Sequence, residues 1–108
     1  MRYPHHNDEG VPVGFYELNT FPGSNQIVVS NHSTILPEFR KQGHGLRMAQ
    51  VRLARAQMQG FDYMLCTVRA DNAAQLRLMQ KVGGWKNLDT FLSRESGVYI
   101  AIFGRGLA

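Results

Sequence analysis

The hydrophobic period of this chain changes abruptly at one place, and that change constrains the fold more than any other feature. Through "QIVVSNHSTIL" (26–36) the sequence is rich in β-branched residues, the composition of an extended strand. Pro37 follows, then "RKQGHG" (40–45). From there Leu46, Ala49, Leu53 and Ala56 recur at spacings of three and four, with Met48 and Val51 beside them and Arg47, Arg52 and Arg55 expected on the other side. This is the pattern of an amphipathic helix, and Gly60 fits as its C-terminal stop. The mostly apolar "FDYMLCTVR" (61–69) then reads as a central strand. A strand, a helix and a second strand in this order form a right-handed crossover with a parallel pair.

The flanks add antiparallel elements. "RYPHH" (2–6) and "VPVGFYELNT" (11–20) read as a hairpin joined by the turn "NDEG". Asp71 or Asn72 is a good N-cap for the helical "NAAQLRLMQKV", which Gly83 and Gly84 stop. "WKNLDTFLSR" (85–94) and "VYIAIFG" (98–104) read as a second hairpin. The order β-β-β-α-β-α-β-β predicts an α/β fold with a mixed, mostly antiparallel sheet. At 108 residues, and without repeats or linker-like stretches, a single domain over 1–108 is expected.

Composition narrows the function classes. Apolar residues make up 44% and charged residues 19%, neither a disordered nor a membrane composition. The polar N-terminus lacks the apolar centre of a signal peptide. The one cysteine, Cys66, allows no intramolecular disulfide and is expected to be a reduced, buried thiol in a cytoplasmic protein. A net charge of +4 suits an anionic ligand or an acidic partner. Neither finger spacing nor an aromatic RNA-binding motif is present, so nucleic acid is not the expected partner. His5 and His6 lie close to Asp8 and Glu9, but the spacing fits no recognised metal-ligand pattern.

The glycine stretch has a specific capability. The first N–H groups of a helix have no intrahelical partner and lie at the positive end of the helix dipole. Glycines clear side chains from that end and leave an anion-binding nest, to which Arg40 and Lys41 add charge. Diphosphate is a natural guest. The bland alternative is a tight turn with solvated cations. "RKQGHG" lacks the Gly-Lys-Ser/Thr of a Walker loop and the third glycine of a dinucleotide fingerprint.

Two stretches in order resemble the GNAT superfamily of N-acetyltransferases. "RKQGHG" has the Arg/Gln-x-x-Gly-x-Gly/Ala form that opens the family's long helix, preceded by "ILPEFR", similar to its Val-x-Pro-x-x-Arg strand end. "TVRADNAAQLRLMQKVGGW" resembles the second signature, in the form seen in ribosomal-protein alanine N-acetyltransferases. The resemblance covers roughly residues 9 to 103. It implies acetyl-coenzyme A in a V between two splayed parallel strands. The pyrophosphate would sit on the N–H groups of Lys41, Gln42, Gly43, His44, Gly45 and Leu46, beside Arg40. The pantetheine arm would pair with Thr34, Ile35 and Leu36, one of whose N–H groups would polarise the thioester carbonyl. Asn72 would hydrogen-bond the arm.

The resemblance also departs where chemistry is expected. Family members often have Glu before the Val-Arg and Tyr seven residues after the Asn; here these positions are Thr67 and Met79, the latter still expected along the cofactor. The family usually begins with a strand and two helices that wall the acceptor side, and no segment here matches them. His32, expected on one strand face with Thr34 and Leu36, is the candidate base, against a structural histidine as the alternative. The implied activity is acetyl transfer to an amine, on a protein or peptide. The alternative is a degenerate relative that binds coenzyme A or a partner without catalysis. Uncovered apolar surface would favour a homodimer or a complex with the target.

Overall fold

The computed structural model describes residues 1–107. It contains six strands and two α-helices in the expected order: β1 (Arg2–His6), β2 (Pro12–Thr20), β3 (Ile27–Ile35), α1 (His44–Met58), β4 (Tyr63–Arg69), α2 (Ala73–Val82), β5 (Lys86–Leu92) and β6 (Tyr99–Gly106). The strands form one sheet in the order β1-β2-β3-β4-β6-β5. β3 and β4 are its parallel pair, joined through α1, and the other neighbours are antiparallel. Pro37 starts a short 3-10 turn, Pro37–Phe39, which carries the chain from β3 to the glycines.

Both helices pack on the same sheet face. α1 covers Tyr16, Leu18, Val28 and Met64 through Met48 and Ala56. α2 covers Cys66 and Val68 through Met79 and Leu76. The opposite face and the β5–β6 hairpin are left open: Leu88, Phe91, Leu92 and Tyr99 are each about half exposed.

The helix α1 is rotated relative to the sequence expectation. Its buried stripe is Met48, Ala49, Arg52 and Ala56, so Arg52 belongs to the inner face. Arg55 is also turned inward. Its Nε donates to the Tyr16 hydroxyl at 2.7 Å, and its guanidinium stacks 4.1 Å over the Tyr3 ring. Of the three arginines expected in solvent, only Arg47 is exposed, where it pairs with Asp8 at 3.1 Å. Spacing alone missed this because arginine stems pack as apolar surface while their heads reach polar partners.

Two irregularities in β3 shape everything that follows. It pairs with β4 only over Ile27–Val29 against Tyr63–Leu65, after which the two strands part. It also bulges against β2: Phe15 faces Thr34 and Glu17 faces Asn31, so the single Tyr16 stands against both His32 and Ser33. His32 takes φ 51° at the bulge. The extra residue breaks the period of two, so His32 does not share one alternating face with Thr34 and Leu36. On β2, Gly14 lies against Ile35 so closely that a Cβ there would collide with the Thr34 carbonyl oxygen and stand 2.9 Å from Ile35 Cδ1.

Candidate active site

Where β3 and β4 part, a cleft of about 530 Å³ opens. Ser33, Thr34 and Ile35 form one wall and the start of α2 the other. The turn at Arg40, Lys41, Gly43, His44 and Gly45 closes one end, and Met48, Ala49 and Arg52 of α1 line the inside. A second cavity of about 240 Å³ adjoins it between the parted strands, and the two share Ser33, Arg52, Asn72 and Gln75. His32 and Thr67 line this second cavity together.

The turn is built as a nest. Gly43 caps α1 at φ 85° and Lys41 takes φ 64°, both left-handed, and no side chain caps the helix. Left-handed residues within such a turn aim backbone N–H groups at one point. The α1 N-terminus therefore presents uncapped donors to the cleft, with Lys41 and Arg40 beside them. A strained, non-glycine residue such as Lys41 in this conformation is the kind that persists where the backbone geometry serves a ligand.

β3 supplies one free main-chain edge. Leu36 N–H donates to the Val13 carbonyl at 2.8 Å. In an antiparallel ladder neighbouring residues point their N–H and C=O groups to opposite sides. Ile35 therefore turns both groups away from β2 and toward the opening. Its carbonyl is already held by Arg40 Nε at 2.9 Å, so the Ile35 N–H is the donor that faces the cleft. Asn72 caps α2, accepting the Gln75 N–H on Oδ1 at 3.2 Å. That bond leaves its amide NH2 for the cleft.

The cleft gathers most of the residues read from the sequence: Thr34, Ile35, Arg40, Lys41, Gly43, His44, Gly45 and Asn72. Others are placed differently. Leu36 spends its N–H on β2. Gln42 faces a neighbouring depression with Asp8 and Arg47. Leu46 lines a shallow groove on the other flank, with Arg77 and Lys81. Met79 does not line the cleft. It is 3% exposed and packs with Cys66 and Val68, because α2 turns positions 76 and 79 toward the sheet. Cys66 is a buried thiol, as expected: burial pushes it up to about 11, with Arg52 opposing the rise, which disfavours the thiolate. Sequence reasoning missed Arg52, Ser33, Phe39 and Leu78 as cleft residues. Leu78 lies 3.1 Å from where a Gly45 Cβ would be, so the second glycine of "GHG" lets the two helices approach.

The sequence profile of the acetyltransferase (GNAT) family matches residues 2–84. The chain belongs to the GNAT family. Solved structures give the same fold. One, assigned as a phosphinothricin N-acetyltransferase, superposes with a TM-score of 0.83 at 21% identity over 99% of this chain and 68% of its own. The ribosomal-protein alanine N-acetyltransferase of Escherichia coli gives 0.81 at 13% identity over 100% and 69%. An acetyltransferase of Salmonella typhimurium, determined with its cofactor acetyl-CoA, gives 0.76 at 18% identity over 92% and 60%. No curated protein matches the chain significantly. Membership places the chain in an acetyltransferase family, and acetyl-CoA is the cofactor in the Salmonella neighbour. Among the described residues no helix is long and apolar enough to cross a membrane.

Proposed function

We propose that this GNAT chain moves an acetyl group from acetyl-CoA to an amine on a protein or peptide. The observation that carries the reading is the cleft itself, with a basic, glycine-lined and uncapped helix N-terminus at one end and a free strand N–H along its wall. The residues fit the donor. Lys41 to Gly45 hold diphosphate on their N–H groups, aided by Arg40. The Ile35 N–H and the Asn72 amide hold the pantetheine arm, and Leu46, Arg77 and Lys81 flank the nest. Bound there, acetyl-CoA supplies an acetyl thioester open to direct attack.

The protein's own part is positioning and proton handling. The incoming amine nitrogen forms a C–N bond as the C–S bond breaks and the pair leaves on sulfur, and the nitrogen sheds one proton. His32, exposed in the second cavity beside Thr67, accepts that proton directly or through water. No titrating side chain occupies position 67 or 79, so rate rests mainly on holding the reactants together. His32 is exposed where it lines the second cavity, which leaves room for an amine carried on a protein or peptide.

The test is coenzyme A thiol release with peptide amines. His32→Ala should lower kcat by about 100-fold, the lower end of what a positioned general base contributes. Absence of peptide-dependent thiol release with every peptide tested would contradict the reading. The open β5–β6 surface points to a homodimer that covers Leu88, Phe91 and Leu92, with β5 as an unpaired edge strand. Light scattering at high concentration should give twice the chain mass, and a monomer at every concentration would contradict it.

A further inference from the structure

Arg52 is a buried charge with too few partners. It is 4% exposed, and its Nε makes no hydrogen bond. Among the described residues its one side-chain hydrogen bond is a long one, from Nη1 to Ser33 Oγ at 3.5 Å. Ser30, 3% exposed on the wall of the second cavity with Arg52, also leaves its Oγ without a partner. Neither cavity that Arg52 lines contains an aspartate or glutamate. Arg69, at the other side of the second cavity, has its own partner in Asp71 at 3.0 Å.

An arginine in such a place is costly unless an anion arrives. Burying a charge without a counter-charge carries a penalty of several kcal/mol, and an apolar residue of similar size is often more stable. The desolvation is large enough to pull the guanidinium below its usual pKa. The diphosphate nest lies at the end of the cleft formed by Arg40 to Gly45, whereas Arg52 lies where the cleft meets the second cavity. The anion it awaits therefore belongs to the reacting end of a substrate. Planar, forked donors match a carboxylate best.

We propose that Arg52, Ser33 and Ser30 form a carboxylate subsite beside the reacting centre, so that the preferred substrate carries a carboxylate close to the group transferred or accepted. This rests on the acetyl-transfer reading and deepens it. The carboxylate comes either with the acceptor, as in a peptide with an acidic first residue, or with the acyl chain of the donor.

The two sources are separated by two comparisons. Thiol release from acetyl-CoA is measured with peptides starting in Asp or Asn, and in Glu or Gln. Succinyl-CoA and acetyl-CoA are then compared with a neutral peptide, and their affinities are measured by calorimetry. One comparison should show at least roughly tenfold preference for the carboxylate, the worth of a charge-assisted hydrogen bond. Arg52→Met should reduce that ratio to about one, Arg52→Lys should keep part of it, and Ser30→Ala should weaken it. The free Arg52→Met protein should melt no lower than wild type, since it loses an unpaired buried charge. Equal rates and affinities with both members of every pair would overturn the inference. So would an Arg52→Met variant that loses rate equally on charged and neutral substrates. Failure to bind either acyl-coenzyme A would instead overturn the acetyl-transfer reading beneath it. If Arg52→Met fails to fold, the ratio in Ser30→Ala decides.

Discussion

Gly43→Glu weakens coenzyme A binding by roughly 100-fold or more, about 2.7 kcal/mol. Two effects combine. Gly43 sits at φ 85°, where a side chain costs about 1–2 kcal/mol through contact with its own carbonyl. The new carboxylate also stands in the nest, facing a ligand of like charge; at ~4 Å in a surface environment such a pair repels by about 4 kcal/mol. Space is not the cause, because a Cβ at Gly43 meets nothing within 4 Å. Gly43→Ala therefore separates the two effects: it carries the backbone strain without the charge and should lose only a minor part of the affinity. Calorimetric titration of the two variants checks this, and equal losses would mean that backbone geometry, not charge, dominates.

Gly14→Val is expected to destabilise the sheet strongly. Its Cβ would collide with the Thr34 carbonyl oxygen and crowd Ile35 Cα at 3.2 Å, both backbone atoms that cannot rotate away. Overpacking of this kind costs about 3 kcal/mol, which lowers the melting temperature of a chain this size by roughly 15 °C. The same shift moves Ile35, whose N–H faces the cleft, so affinity for coenzyme A should fall along with stability. Gly106→Ala is the control: it lies in a strand, has open space around its Cβ, and should change the melting temperature by only a degree or two. A Gly14→Val protein that melts with the wild type would show that β2 and β3 are not locked at this contact.

The order of elements was legible because each obeys one period. Leu46 to Ala56 repeats as a helix, 26–36 is β-branched, and the glycines at 43, 60 and 83 fall at helix ends. The nest was legible for the same reason: it is local, built from consecutive residues. What sequence could not show depends on strands far apart in the chain. The bulge that moves His32 out of alternation arises from how β2 meets β3, and no composition signal marks it. Gly14 looks like any strand glycine until Thr34 is placed against it. Arg52 reads as a solvated charge beside Arg47 and Arg55, and only the parting of β3 from β4 turns its position into the wall of a cavity. Met79 occupies the position expected for an acid, yet the packing of α2 makes that position a core residue.

The most direct test of the central claim is a calorimetric titration of the wild-type chain with acetyl-CoA and with coenzyme A, followed by the same titration of Gly43→Glu. The cleft predicts one site per chain, saturable binding of both ligands, and loss of both in the variant. Absence of binding to the wild type, or unchanged affinity in Gly43→Glu, would contradict the placement of the coenzyme on the "RKQGHG" turn.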